Sequence, residues 1–506
     1  MSDSSQDLNS SFRYVGKKRR TKEDPRFVTG RGRYVADVQL PDMKHVAIVA
    51  SPYPSARITA IRTDAALASP GVVYVLAGDE FARHTDPLYV GVDAPKVLRY
   101  ALATDVVRYA GEWVVAVVAD TRAEAEDAAE LVEVDYEPLP HLTDPEQALL
   151  PDAHRVHAAH DSNVLYRRKF VWGAVEQDWN AAEERLNFRV HWGRSATVPI
   201  ETFGVVANWN PGVGILDVWA SIQMPKYPEQ LARALRLPGN AVRVHFDIDV
   251  GGSYGVKRGI KHTALVSYLA MKLGVPVRLL EDRLENMRGG DMHGPDRIFD
   301  MGVAFDRSGR IRALKIRALD DVGAYAGRSP LQLGKPVGAI CGPYQIPSVE
   351  YEPISVMTNK TPQEAVRGFG QSPTNYALET AMDQVARHLN MDRVELRRLN
   401  LIRKDQFPYL IPSGTHYDSG DYHAVLDKAL AVAGYTQLLK DRDAARARGG
   451  HRHFNVPGAQ RRQLLVRGAV QSQERNHHLD GFLSGARRPD RRHHRRDEHL
   501  HLGSGP

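Results

Sequence analysis

Two glycine clusters in this sequence are able to present backbone amides to a ligand: Gly251-Gly252-Ser253-Tyr254-Gly255 and Arg367-Gly368-Phe369-Gly370. A glycine turn that joins a strand to a helix gathers several N–H groups at the helix amino terminus, where the peptide dipoles favour anions such as phosphate. The missing side chains also let a flat ring or a pyrophosphate approach the main chain. A nucleotide-binding P-loop is disfavoured, because Lys257 is followed by Arg258 rather than serine or threonine and stands at the wrong distance from Gly251. Gly252-Ser253-Tyr254-Gly255 also lacks the G-x-G-x-x-G spacing of a dinucleotide fingerprint. On local pattern alone, a tight turn without a ligand is an equally good reading of an isolated cluster.

Periodicity and capping signals outline the elements that must position these turns. Pro228 suits the first turn of a helix that residues 231–237 continue and Pro238-Gly239 ends. Val242, Val244, Phe246, Ile248 and Val250 then alternate with Arg243, His245, Asp247 and Asp249, which predicts a strand over 242–250. The strand leads into the glycine turn, and a helix over 257–273 follows directly, stopped by Gly274 ahead of Pro276. After the second turn, Ser372-Pro373 predicts a cap and first-turn proline for a helix over 375–389, and Asp392-Arg393-Val394-Glu395 caps another. Nearer the amino terminus, residues 46–50 form a short buried-strand candidate. Thr121-Arg122-Ala123-Glu124 is a capping box for a helix reaching about Leu131. Val132, Val134 and Tyr136 then alternate with acidic residues as a half-buried strand that Pro138 and Pro140 end.

These signals divide the chain into an arm over 1–23, an α/β unit over 24–150, a linker over 151–163, a larger α/β region over 164–440 and a tail over 449–506. The tail differs in kind. After residue 450 there are eleven arginines against five acidic residues, so the net charge of +6 sits there and the first 450 residues are neutral. Nothing aromatic or regularly spaced accompanies that charge, and we expect a disordered, out-of-frame or truncation-derived segment rather than a nucleic-acid arm or a histidine-rich metal tract. The 506 residues contain a single cysteine, Cys341, which excludes an internal disulfide and an iron–sulfur cluster held by thiolates of this chain alone. No apolar run approaches membrane-spanning length and no secretory signal is present, so a soluble, cytoplasmic protein with no nucleic-acid partner is expected.

The order of several segments resembles the large subunits of the xanthine dehydrogenase, aldehyde oxidase and carbon monoxide dehydrogenase family. Glu23-Asp-Pro-Arg-Phe-Val-Thr-Gly-Arg-Gly-Arg-Tyr34, Ser51-Pro-Tyr-Pro-Ser-Ala-Arg-Ile58, Val107-Arg-Tyr-Ala-Gly-Glu-Trp-Val-Val-Ala-Val-Val118 and Val134-Asp-Tyr-Glu-Pro-Leu-Pro140 resemble that family's hammerhead domain. Ser221-Ile-Gln-Met-Pro225, Gly251-Gly-Ser-Tyr-Gly-Val-Lys257, Pro276-Val-Arg-Leu-Leu-Glu-Asp-Arg283 and Glu364-Ala-Val-Arg-Gly-Phe-Gly370 resemble the first of its two cofactor-holding domains. The resemblance spans about Asp24 to Tyr435. It implies an α/β (α+β) fold, a hammerhead-type domain followed by the first molybdenum-cofactor domain, truncated relative to a longer family chain.

The resemblance also implies an oxidoreductase: a molybdenum hydroxylase that binds molybdenum through the dithiolene of molybdopterin, the cytosine dinucleotide form in a bacterial setting. Such an enzyme takes oxygen from water and oxidises an aldehyde or heteroaromatic substrate. Electrons then pass to a small Fe–S subunit and a medium FAD subunit. Carried over by position, Gln223 hydrogen-bonds a terminal molybdenum oxygen. Gly252, Ser253, Tyr254 and Gly255 line metal and pterin through backbone amides, and Arg367, Gly368 and Phe369 contact cofactor and pocket floor. No side chain of the chain is assigned as a metal ligand. Without the resemblance, Gln223 is an ordinary polar residue before a helix, Tyr254 a core aromatic and Arg367 one half of a surface salt bridge.

Three departures narrow the expectation. Gly368 stands where the carbon monoxide branch has a copper-binding cysteine, which argues against copper-assisted carbon monoxide oxidation. Arg258 stands where purine oxidisers carry an acidic residue, which argues against xanthine. The family's glutamate base lies in the second cofactor domain of a longer chain; Glu474 and Glu498, set among arginines and histidines, do not match it, so the catalytic base is unassigned. The rival expectation is a catalytically inactive fragment acting at most as a binding or assembly module.

Overall fold

The strand Trp113–Ala119 is apolar at every position and fully buried along its length, because both of its faces are covered. One face packs in the cluster holding Phe81, Phe203, Leu265 and Leu269, and the other in the cluster holding Ala56, Val107 and Ala128. It lies inside a seven-stranded sheet of the order Val242–His245, Ile215–Ala220, Gly204–Asn210, Val277–Leu280, Lys44–Ala50, Trp113–Ala119 and Val72–Ala77. The computed structural model describes residues 13–14, 17–88, 97–224, 226–327 and 329–447; the predicted tail over 449–506 lies outside them, as does most of the arm.

Strand Lys44–Ala50 pairs in parallel with Val277–Leu280 and antiparallel with Trp113–Ala119. The amino-terminal region and the larger region therefore share one continuous sheet. A second sheet has the order Val164–Arg167, Ser348–Met357, Ile311–Gly323, Arg297–Phe305 and Glu184–Trp192, with Phe170–Trp172 also pairing to Ser348–Met357. Its inner face packs against the helix Gln371–His388 through Phe299, Met301, Ala377, Ala381 and Val385. A third, three-stranded sheet joins Val106–Val107, Ala56–Arg62 and Glu133–Pro138.

Local signals fare well where the forces are local. The helix Arg122–Ala129 opens on the predicted capping box: Glu124 N donates to Thr121 Oγ1 at 3.2 Å and Thr121 N to Glu124 Oε2 at 2.9 Å. Gly274 terminates Lys261–Leu273 in the left-handed conformation. Asp392 caps Arg393–Asn400, while Glu395 ion-pairs with Arg398 instead of completing a box.

Four boundaries differ from the sequence reading. The strand predicted over 242–250 ends at His245. Beyond it the chain turns away from the sheet edge, because Asp249 is captured by the amino-terminal segment: Arg26 forks onto its carboxylate, Arg33 N donates to it at 2.8 Å, and Asp249 N donates to Arg33 O at 2.6 Å. The helix predicted from 257 begins at Lys261, so strand, turn and helix do not follow in immediate succession. The helix predicted from 375 begins at Gln371, and Gly370 rather than Ser372 is its cap. The helix containing Pro228 spans Tyr227–Ala234 and stops short of 237, with Arg236 left-handed at φ 58°. Among the described residues no helix is long and apolar enough to cross a membrane.

Candidate functional site

The two glycine turns meet. Arg367 N donates to Tyr254 O at 2.6 Å, tying the loop that leaves the edge of the seven-stranded sheet to the loop that follows strand Ser348–Met357. His293 brings the second loop there: Glu364 N donates to His293 O at 2.9 Å, and His293 also bridges to Ala196. A third segment joins through Gln223, whose Oε1 accepts from Gly255 N at 3.2 Å and whose own N donates to Lys257 O at 3.2 Å.

The meeting depends on backbone that few residue types adopt. Gly255 has φ 106°, and a Cβ there would overlap the carbonyl oxygen of Ala365. Gly370 has φ 84°, and a Cβ there would overlap the carbonyl oxygen of Gln332. Tyr254 at φ 53° and Phe369 at φ 38° are left-handed without being glycine. Such conformations are unfavourable for residues carrying a Cβ and persist where the surroundings over-determine them, which is common at ligand sites.

Three consecutive amides are left available by this geometry. Among the described residues, the N–H groups of Gly252, Ser253 and Tyr254 have no hydrogen-bond acceptor, whereas Gly251 N and Gly255 N are both engaged. Gln223 is exposed, and with its oxygen held by Gly255 its Nε2 is the free end, a donor with no partner among the described residues. The guanidinium groups of Arg258 and Arg367 make no ion pair among the described residues. The arrangement is a concentration of donors around a glycine-rich turn, suited to a flat, acceptor-rich, anionic group.

The first turn rests on a buried polar layer that the sequence reading did not single out. Glu201 Oε2 accepts from Gly251 N at 2.7 Å and from Lys257 Nζ at 2.8 Å. Burial pulls the Lys257 ammonium below its usual range, with Glu201 opposing the shift. Deeper still, His262 pairs with Glu281 at 2.5 Å, and burial lowers the His262 pKa despite that carboxylate. Burial works against ionisation of Asp291, but Arg99 and Lys261 outweigh it and hold the carboxyl at about 2. No local pattern marks Glu201; its role appears only once the segments before Gly204 and after His245 are neighbours.

The structure thus brings Gln223, Gly252, Ser253, Tyr254, Gly255 and Arg367 into one neighbourhood, with Gly368 and Phe369 in the adjoining turn. They form an open face rather than an enclosed cavity, since Gln223, Tyr254 and Arg367 are all exposed. Tyr254 is 46% exposed and so is not a core aromatic. Arg367 forms no surface salt bridge among the described residues. The first turn does not stand at a helix amino terminus, because an irregular stretch separates Gly255 from Lys261; its free amides belong to the turn itself. Cys341 is buried against the Ile346 carbonyl, and burial pushes its pKa up to about 12.

Comparison with known proteins agrees with this layout. Residues 29–140 match the aldehyde oxidase and xanthine dehydrogenase a/b hammerhead domain, and residues 156–401 match the molybdopterin cofactor-binding domain. The chain is 34% identical over 448 residues to the carbon monoxide dehydrogenase large chain of Hydrogenophaga pseudoflava, covering 84% of this chain and 55% of that one. It is 33% identical to the nicotine 6-hydroxylase large subunit of Paenarthrobacter nicotinovorans, covering 86% and 54%. Quinoline 2-oxidoreductase from Pseudomonas putida 86 superposes with a TM-score of 0.80 at 34% identity, covering 86% and 56%. The chain spans about half the length of the curated relatives it matches first. With both domains matched in order and the two turns joined, the chain belongs to the family of molybdopterin-binding large subunits that includes carbon monoxide dehydrogenase and xanthine dehydrogenase.

Proposed function

We propose that this chain is the molybdenum-cofactor-binding subunit of a molybdenum hydroxylase that oxidises an aldehyde or heteroaromatic substrate. The observation that carries the proposal is the hydrogen bond from Arg367 N to Tyr254 O, which joins the two turns and leaves the amides of Gly252, Ser253 and Tyr254 free beside Gln223. These donors fit the oxygen- and sulfur-rich edge of a molybdopterin, in the cytosine dinucleotide form. When bound, that group supplies the two-electron oxidation, with water as the source of oxygen.

The chain's own residues bind and orient. The amides of 252–254 would hold the anionic edge of the cofactor, and Gln223 Nε2 would donate to an acceptor atom of that group. Gly255 and Gly368 would keep the main chain free of side chains beside the cofactor, and Phe369 would contact the pocket floor. Arg367 offers an unpaired cation to negative charge at the site. With one cysteine in the chain, electrons leave through a small Fe–S subunit and a medium FAD subunit in the cytoplasm.

Metal and pterin analysis of the full chain, produced with cofactor-synthesis machinery and partner subunits, tests the proposal. We expect close to one molybdenum per chain, release of a cytosine nucleotide on hydrolysis, and turnover of members of an aldehyde and N-heteroaromatic panel. A folded chain that carries no molybdenum under those conditions defeats the proposal and leaves a non-catalytic binding or assembly module.

A further inference from the structure

We propose that Glu201 and Lys257 form a buried clamp that presets the 251–257 turn, making Glu201 a positioning residue for the cofactor-binding amides. The inference rests on the reading of that turn as the cofactor cradle. One carboxylate oxygen spans the turn from end to end: Glu201 Oε2 takes the N–H of Gly251 at 2.7 Å and the ammonium of Lys257 at 2.8 Å. The main chain repeats the first contact, Glu201 N donating to Gly251 O at 3.2 Å.

Lys257 is the distribution point. Its side chain is 0% exposed and that of Glu201 18% exposed, so the pair faces protein rather than water. Its N–H donates to Ser253 Oγ at 3.2 Å and its carbonyl accepts from Gln223 N at 3.2 Å. Fixing Lys257 therefore fixes Ser253, in the middle of the free amides, and Gln223, the separate donor. Glu201 is itself held from outside the turn: Arg283 Nη2 donates to Ile200 O at 2.9 Å, and Thr202 Oγ1 donates to Glu281 O at 2.7 Å.

The pair is poorly explained as a device for stability alone. Glu201 Oε1 is buried with no hydrogen-bond partner among the described residues. A buried ion pair with an unsatisfied oxygen gains little over an apolar pair of similar shape, because desolvation offsets the attraction. What a charged pair provides here and an apolar pair does not is direction, since the same carboxylate must meet a backbone N–H and an ammonium at once.

Two variants of the full chain test the clamp: Glu201→Gln, which keeps the shape and an acceptor for Gly251, and the double variant Glu201→Gln with Lys257→Met, which leaves no buried charge unpaired. Amide hydrogen exchange is read by peptide, without cofactor, and molybdenum and pterin content is read after production with the maturation machinery. We expect exchange of the hydrogen-bonded amides of Gly251, Gly255, Val256 and Lys257 to accelerate about tenfold or more, with protection of helix Lys261–Leu273 and strand Trp113–Ala119 unchanged and molybdenum content falling at least several-fold. Wild-type exchange across 251–257 in the double variant overturns the clamp. Faster exchange with undiminished molybdenum reduces the pair to a structural contact and overturns the positioning role. A wild-type chain that holds no molybdenum overturns the functional reading instead, while the exchange measurement still judges the clamp.

Discussion

At Gly255 the backbone angle of 106° and the neighbouring Ala365 carbonyl act together: the first disfavours any residue with a Cβ, and the second leaves no room for one. Its N–H also donates to Gln223 Oε1, so its displacement disturbs the contacts of Gln223, Tyr254 and Arg367 at once. We predict that Gly255→Ala lowers stability by about 1–3 kcal/mol, the usual size of forced left-handed backbone strain. Molybdenum content should fall by more than that loss of folded protein explains. Urea unfolding and metal analysis on the same preparation check this, and undiminished metal in a folded variant would contradict the cradle geometry. Arg367 makes the opposite point, because its identity was legible while its backbone N–H, rather than its side chain, is what links the turns.

Single elements obey their own sequence wherever the stabilising partner is a few residues away. The box at Thr121 and Glu124 satisfies two amides at the start of Arg122–Ala129. Thr121→Ala is predicted to lower stability by about 1 kcal/mol, measured as a shift in the urea midpoint. The connecting segment before Val164–Arg167 is packed rather than free: His157 is buried, its Nε2 meets Ala324 O at 2.6 Å, and Asn163 and Val156 are buried beside it. Burial, with Arg108 adding repulsion, lowers the His157 pKa to about 3.

The folded chain thus keeps His157 neutral where the unfolded chain, titrating near 6.5, takes up a proton. This contribution to stability is complete above about pH 6.5 and declines as pH falls from there towards 3. Unfolding free energy should drop between pH 7.5 and 5, and His157→Gln should remove up to about 2 kcal/mol of that drop. An unchanged slope in the variant would assign the effect to other groups, among which His262 shifts in the same direction.

For the whole molecule, the governing feature is the parallel pairing of Lys44–Ala50 with Val277–Leu280, which builds the hammerhead region and the cofactor region on one sheet. Arg99 reinforces the seam from the hammerhead side, 2.7 Å from the buried Asp291 carboxylate, and its guanidinium also lies over the Tyr325 ring. A shared sheet and a shared buried ion pair couple the two regions. Scanning calorimetry should accordingly show one unfolding transition for the described part of the chain. Two well-separated transitions would mean that the sheet is not a cooperative unit. Asp291→Asn, which leaves Arg99 and Lys261 buried without their carboxylate, should shift that transition down by an amount corresponding to about 3–5 kcal/mol.

What the sequence by itself determined is local or compositional. Capping at Thr121 and Asp392, the glycine stop at 274, the single cysteine, the neutrality of the first 450 residues and the ordered segments that identify the family all follow from neighbouring residue types. Tertiary structure alone decided where strand Val242–His245 ends, because Arg26 reaches Asp249 from 223 residues away. It also decided that one sheet serves both regions, and that Glu201 stands behind the first turn. Periodicity and capping report forces acting within a few residues, whereas these outcomes depend on segments that packing alone brings into contact.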